Sequence, residues 1–547
     1  MSNDHPARSC SSDCCTTDCG TGDCGTSDYE TGERVASDRA ASSHSLGNRR
    51  GKSLGNSLGN RLGNRLGNSL VRNGGIGAIW QAASRRDWCR GISKGLGSVA
   101  FLSLLKESVG AVQSDAGNPL SAKNGHHAAS ADRIIFLYST GGVSHVDTWD
   151  YKPQLVSDHG KKITASRWLN KPGAFERYLI RPRWGFSQHG QSGIWASELF
   201  PETAKMVDDM CILNAMHCDS DGHDKGTLAA HTGSAQFARP SHGAWVSYGL
   251  GTVNQNLPSF MVLAPHPPYA GAQTWGSDFL PGCHQGTQVV PGNEPLPFLR
   301  PDANRGRRQE LELELLEAMN RDHTANSPID TFLEARARSF ETAFGMQSEA
   351  PEALDLSSET EATLQMYGLK RGETQGMGWQ CLVARRLAER GVRFIEVIDT
   401  GSNSGENWDS HGNMADHEKL AKKVDQPIAA LLKDLKQRGM LERTLVVWTT
   451  EFGRTSFHQT ADHPGREHHN LVFTSWMAGG GVRGGLVHGR SDEHGILPVE
   501  GHVHTHDLHA TMLHCMGLDH ERLTYRHAGR DYRLTDVAGR VVREILS

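Results

Sequence analysis

The chain of 547 residues lacks several features that mark familiar classes of protein. No run reaches the roughly 18 uninterrupted apolar residues that a transmembrane helix requires, so we expect no integral membrane segment. The 57 Lys and Arg residues against 62 Asp and Glu leave a net charge of -5. This balance lacks the basic excess that indicates a nucleic-acid partner. A polytopic membrane protein, a basic DNA-binding protein and a coiled coil are therefore excluded.

Paired cysteine spacing is also missing. Five of the eleven cysteines fall within the first 24 residues, in a tract rich in Ser, Thr, Asp and Gly, and the other six show no C-x-x-C spacing. A metal site in the first tract is conceivable, but it has no zinc-ligand pattern and no apolar residues around which to fold. Residues 45–70 then repeat the tripeptide L-G-N, and glycine at that frequency opposes helix formation. We interpret residues 1–83 as a disordered, low-complexity region.

Two arginines, Arg85 and Arg86, precede a weakly apolar segment and the small residues Val109, Gly110 and Ala111. This pattern is typical of a twin-arginine export signal. It predicts a signal over 84–111, a linker over 112–130 and a mature protein that the twin-arginine machinery delivers to the periplasm or cell surface. An ordinary surface helix is the alternative, and the long stretch before the arginines is unusual for such a signal.

What the chain does have in excess is histidine. It contains 29, of which 15 lie beyond residue 400. Histidine binds metals and transfers protons near neutral pH. The surplus therefore indicates site chemistry without locating it.

From residue 131 onward, strand-like and helix-like segments alternate. Predicted strands cover 133–139, 209–216, 259–264, 393–398, 444–450 and 471–477, and predicted helices cover 376–390 and 415–438. Such alternation predicts a single α/β domain over 131–547, with a mostly parallel central sheet and helices on both faces. Ligands of such sheets bind beyond the carboxyl ends of the strands.

Carboxylates and histidines follow most of these predicted strands. The candidates are His145 and Asp147, His223, Asp409 and His411, Glu451, and His468. Together they suit a divalent ion such as Zn²⁺, Mn²⁺, Ca²⁺ or Mg²⁺, whose identity the residues leave open. Each alone could be a helix cap or a surface residue, but five groups at one sheet edge favour a metal site.

Four motifs then resemble a known family. The segments G-G-V-S-H-V-D-T-W-D, W-D-S-H-G, T-E-F-G-R-T and G-R-E-H-H look like those of the domain of unknown function 1501 family, found in exported bacterial proteins and similar to the alkaline phosphatase and sulfatase superfamily. The resemblance covers most of residues 130–545. It implies an alkaline phosphatase/sulfatase-like fold, while the family's own activity is not established.

The superfamily resemblance implies roles for particular residues. Glu451 takes the place of a metal-binding Asp, Phe452 replaces a histidine ligand, and His468 or His469 corresponds to the last metal histidine. The aspartate of the first strand is replaced, and His145 and Asp147 are the substitutes we expect.

The nucleophile position departs most from the sulfatases. Counting back nine residues from Thr232 and Gly233 gives His223, and no C-x-P-S-R motif is present. Formylglycine chemistry is therefore not expected. His223 is a ligand, a covalent nucleophile or a general acid/base, and we favour a ligand because Asp221 and Asp224 add negative charge.

Together these observations predict an exported, metal-dependent hydrolase of phosphate or sulfate esters, acting on a small-molecule or polysaccharide anionic substrate. Arg454 is expected to grip a substrate oxygen, or else to pair with a structural carboxylate. The alternative is a catalytically degenerate binding or structural protein with a structural metal. Hydrolysis of another type of bond by metal-activated water is a third possibility.

Overall fold

A central sheet of nine strands organises the computed structural model, which describes residues 118–168, 171–299, 306–326 and 331–547. The low-complexity region 1–83 and the predicted signal 84–111 lie outside the described residues. In the second half of the predicted linker, Leu120 is buried and the Lys123 N–H donates to the carbonyl of Leu250 (2.9 Å). Residues 118–130 therefore pack on the domain.

The strands in the described ranges are β1 (Arg133–Ser139), β2 (Lys162–Trp168), β3 (Lys171–Leu179), β4 (Phe186–His189), β5 (Ile194–Ser197), β6 (Met210–His217), β7 (Phe260–Leu263), β8 (Thr287–Val289), β9 (Phe394–Asp399), β10 (Thr444–Thr449), β11 (Gly453–Arg454), β12 (Phe457–His458), β13 (His468–His469), β14 (Phe473–Ala478), β15 (Leu486–His488), β16 (Arg490–Ser491), β17 (Pro498–Glu500), β18 (Val503–His504), β19 (Tyr525–His527) and β20 (Arg530–Tyr532). The α-helices there are α1 (Pro153–Ser157), α2 (His223–Thr232), α3 (His242–Leu250), α4 (Gly306–Asn326), α5 (Thr331–Leu354), α6 (Glu361–Met366), α7 (Gly376–Glu389), α8 (Ala415–Gln437) and α9 (Thr505–Cys515).

The sheet has the strand order β15-β6-β14-β10-β1-β9-β7-β8, and β18 also pairs with β6. All pairs are parallel except the two that β14 makes with β10 and β6. The predicted mostly parallel sheet is therefore confirmed, and so are the predicted strands and helices within a residue or two at each end.

Side chains along the central strands alternate between two cores, one on each face of the sheet. In β1, Ile135 and Leu137 join the core that contains α7 and α8 residues. Phe136 and Tyr138 join the opposite core, which includes residues of α3 and α9. Alternating apolar side chains buried on two faces are what a doubly covered sheet requires.

The strand directions bring the important loops together. Because β14 is antiparallel to both β6 and β10, strands β6, β10, β1 and β9 all end at the same edge of the sheet, where β14 begins. The segments after those four strands and before β14 therefore meet. In the described ranges, no helix combines the length and apolarity needed to span a bilayer.

Candidate metal centre

Four side chains meet at this edge in an arrangement that suits a metal ion. One ligand atom from each of His223, Asp409, His411 and His468 lies within 4.8 Å of the others. His223 begins α2 after β6, Asp409 and His411 follow β9, and His468 precedes β14. Three imidazoles and one carboxylate form a donor set that suits a transition metal such as Zn²⁺.

The distances around Asp409 fit a tetrahedral ion. Its Oδ1 lies 3.2 Å from His223 Nε2, 3.2 Å from His411 Nε2 and 3.5 Å from His468 Nε2. Ligand atoms at zinc bond lengths stand about 3.3 Å apart in a tetrahedron. The geometry of the group is thus close to that of a metal site.

Each histidine uses its other ring nitrogen to contact an acceptor. Nδ1 lies 2.8 Å from Glu451 Oε1 in His223, 2.9 Å from Glu467 Oε2 in His411, and 2.6 Å from the Asp221 carbonyl in His468. Carboxylates and carbonyls only accept, so Nδ1 carries the proton in all three. This pattern orients histidine ligands in known metal sites.

The consequence is a pair of facing lone pairs. His411 Nε2 and His468 Nε2 lie 2.7 Å apart, and neither carries a proton when its ring is neutral with Nδ1–H donating. The buried His223 Nε2 lies 3.2 Å from Asp409 Oδ1 but makes no geometrically sound hydrogen bond. A cation held by His411, His468 and His223 would remove this repulsion and give all three Nε2 atoms a partner.

The pKa values of His223 and Asp409 are both shifted strongly from their ordinary values. Burial lowers the pKa of His223, but the neighbouring carboxylates of Asp409 and Glu451 favour its protonated form, outweigh burial and raise this pKa to about 9. Burial raises the pKa of Asp409, yet His223, His468 and Arg454 hold it far below its usual range. The carboxylate is therefore ionised and available to a cation.

Glu451 was predicted as a ligand, but it lies outside the candidate group and contacts the Nδ1 side of the His223 ring. Its side chain is fully buried and accepts four hydrogen bonds: on Oε1 from His223 and the Gly141 N–H, both at 2.8 Å, and on Oε2 from Tyr138 (3.1 Å) and Thr450 (3.0 Å). Both oxygens are occupied, and the contact with Nδ1 orients the His223 ring.

Arg454, which was predicted to grip a substrate oxygen, is buried and does not face solvent. Its guanidinium is 0% exposed and contacts Asp409 Oδ1 (2.7 Å) and the carbonyls of Gly142 (2.9 Å) and Gly141. Of the two predicted roles, the structure has the ion pair with a carboxylate. Arg454 fixes the rotamer of Asp409.

His145 and Asp147 are not brought to the group. Both lie in the 3-10 turn after β1. The buried His145 Nε2 contacts the Gly495 carbonyl (2.9 Å), and burial lowers its pKa to about 3. The fully buried Asp147 pairs with Arg466 (2.7 Å). Neither belongs to the group of described side chains that could share an ion with His468, and each contacts a residue that is remote in sequence.

Of the two candidates for the last metal histidine, His468 belongs to the group and His469 does not. His469 points to the other side of β13, where its Nε2 contacts the Ile496 carbonyl at 2.8 Å. The tail histidines His506 and His509 contact the carbonyls of Gly233 and Ala230, both at 2.9 Å, and lie outside the candidate group.

Two glycines let the loops approach. Gly141 has φ +118°, and a Cβ there would lie 2.5 Å from the Trp408 nitrogen and 2.6 Å from that of Asp409. Gly465 packs against the carbonyl of His411. A side chain at either position displaces the segment that carries Asp409 and His411.

Sequence reasoning missed the residues around the ligands. Glu467 stands inside the G-R-E-H-H motif, next to His468, but its contact with His411 depends on the fold. Tyr269 stacks on the His223 ring, with centroids 4.2 Å apart and 21° between the planes. No local pattern marks Tyr269.

Residues 131–546 match the family described as "Protein of unknown function (DUF1501)". The chain belongs to this family. No curated protein is similar enough in sequence to match it.

Solved structures similar to the chain include sulfatases and phosphatases. The PsFucS1 sulfatase from Pseudoalteromonas sp. has 12% identity and a TM-score of 0.29, covering 71% of this chain and 68% of its own. The alkaline phosphatase from the Antarctic bacterium TAB5 has 11% identity and a TM-score of 0.29, and the match covers 72% of this chain and 99% of that one. The phosphonate monoester hydrolase SpPMH from Silicibacter pomeroyi has 9% identity and a TM-score of 0.26, and the match covers 71% of this chain and 73% of that one. Similarities this weak carry no argument about activity.

Proposed function

We propose that this protein is a metal-dependent hydrolase of phosphate or sulfate esters, with one divalent ion held by His223, Asp409, His411 and His468. The observation that carries the proposal is the set of three histidines whose Nε2 atoms converge on Asp409 while their Nδ1 atoms contact acceptors. Three imidazoles favour Zn²⁺ over Ca²⁺ or Mg²⁺.

Solvent access to the group supports catalysis over a purely structural metal. The His411 side chain is 40% exposed, whereas those of Asp409 and His223 are 15% and 14% exposed. A divalent ion held by these four side chains would supply Lewis acidity to a substrate oxygen or to water by taking it as a fifth ligand. One side of the centre is thus open to an ester.

A covalent intermediate is not part of the proposal. His223 Nδ1 contacts Glu451 and its Nε2 faces Asp409 within the candidate metal group, and the Cys218 thiol is buried, with a pKa that burial raises to about 12. Direct attack by water is the route that these residues favour.

We also propose that the twin-arginine machinery exports the protein, since that machinery carries proteins that are already folded.

The test combines elemental analysis with turnover of the purified protein on phosphomonoesters, phosphodiesters and sulfate esters. We expect one zinc ion per chain and hydrolysis of one ester class. His468→Ala should abolish both, while the matched control His469→Ala should keep both because His469 faces Ile496. Stoichiometric metal without turnover on any ester would favour the alternative, a binding or structural protein with a structural metal.

A further inference from the structure

A buried ion pair beside the candidate metal centre holds a short arginine-bearing segment in place. Arg466 Nε donates to Asp147 Oδ2 (2.7 Å), and its Nη2 donates to the carbonyl of Arg181 (2.9 Å). Asp147 Oδ1 accepts from the backbone N–H of Arg183 (2.8 Å). The ion pair therefore holds this segment at two backbone groups, the Arg181 carbonyl and the Arg183 N–H.

The side chains of Arg181 and Arg183 are exposed at the mouth of a groove of about 630 Å³. Trp184 also lines it, and the Arg183 guanidinium lies 5.7 Å from the Trp184 ring. Asp462 is the one carboxylate among the described residues that line the groove. Arg181 and Arg183 therefore outnumber the one lining carboxylate, while Glu418 lies near Arg183 outside the lining, and Trp184 adds an aromatic wall.

The groove adjoins the metal centre through one continuous segment. Residues 463–466 line the groove, and the next two residues are Glu467, which contacts His411, and the candidate ligand His468. Gly465 in this wall packs on the His411 carbonyl. The groove lining and the candidate ligand His468 are thus two residues apart in sequence.

We propose that the groove is a subsite for a second tetrahedral oxyanion of the same substrate, gripped by Arg181 and Arg183. This inference rests on the proposed function and narrows its substrate class to esters that carry two or more phosphate or sulfate groups. Guanidinium groups bind such oxyanions through paired hydrogen bonds. Arg454 is unavailable for this because it is buried against Asp409.

The kinetic test compares glucose 6-phosphate with glucose 1,6-bisphosphate, and uses the corresponding glucose sulfates if the protein proves to be a sulfatase. In Arg181→Ala/Arg183→Ala we expect KM for the doubly charged ester to rise about tenfold, with kcat and the KM of the singly charged ester within twofold of wild type. Lys370→Ala/Arg526→Ala is the control, since it removes two exposed cations that do not line the groove. Equal changes for both esters, or in both double variants, would overturn the subsite.

A binding test separates this inference from the proposed activity. We expect the zinc-loaded protein to bind dextran sulfate and not uncharged dextran, and the groove variant to bind it at least tenfold more weakly than the control variant does. If wild type hydrolyses no ester while this difference persists, the subsite is supported and the hydrolase proposal fails. If the two double variants bind dextran sulfate equally, the subsite is refuted whatever the activity.

Discussion

The sharpest consequence of the geometry concerns Glu451, which touches a proposed ligand without being one. Glu451→Gln keeps the shape of the side chain and can keep an oxygen facing His223 and the Gly141 N–H. Its amide then faces the hydroxyls of Tyr138 and Thr450. Thr450 already accepts from the Gly142 N–H at 3.2 Å, so that side is poorly satisfied.

The size of the expected loss in metal affinity follows from the weaker contact between residue 451 and His223. Changing a residue that orients a metal-bound histidine reduces metal affinity about 10- to 100-fold, which is about 1.4–2.7 kcal/mol. We expect this loss for Zn²⁺ in Glu451→Gln, measured by competition with a chromophoric chelator. The matched variant Glu467→Gln should lose less, because the Glu467 side chain is 32% exposed and water replaces part of its contact with His411.

Melting of the metal-free proteins provides the control for folding. If folded Glu451→Gln binds Zn²⁺ as tightly as wild type, then Glu451 does not support a ligand and the assignment of His223 fails. A larger loss in Glu467→Gln than in Glu451→Gln would equally contradict the reasoning from burial.

Three further outcomes are expected. Asp147→Asn should retain stoichiometric zinc but lower the free energy of unfolding by about 3–5 kcal/mol at pH 7, because it leaves the Arg466 charge buried and unpaired. Burial raises the pKa of Asp147 but Arg466 holds it below its ordinary 3.8, so in urea titrations the difference from wild type should shrink as the pH falls below about 4. Gly141→Ala should weaken zinc binding by displacing Asp409, whereas Gly439→Ala, at a glycine with open space around it, should leave zinc affinity unchanged; equal affinities in the two would contradict the packing argument. The loss of metal in His468→Ala but not in His469→Ala can be read directly by elemental analysis, and the reverse result would exchange their roles.

The fold was predictable because its signals are local. The run from Thr444 to Thr449 reads as a buried strand by its apolar and β-branched residues alone, and the amphipathic pattern of α8 indicates its inward face. Parallel strands then place their following loops at one edge. That argument alone predicts that Asp409, His411 and His468 lie at the same edge.

The directions of loop side chains were not predictable in the same way. Asp147 turns away from the group because Arg466, 319 residues further along the chain, supplies its counter-charge. His145 turns toward Gly495, which is equally remote in sequence. Glu451 has the charge of a ligand, and only its contacts with Tyr138 and Gly141 show that its oxygens are occupied.

The most direct test of the central claim is anomalous diffraction at the zinc edge from crystals of the zinc-loaded protein. The account predicts one peak about 2.0–2.2 Å from Nε2 of His223, His411 and His468 and from the carboxylate of Asp409. A fully loaded crystal with its zinc bound elsewhere, for example by His145 and Asp147, would contradict it.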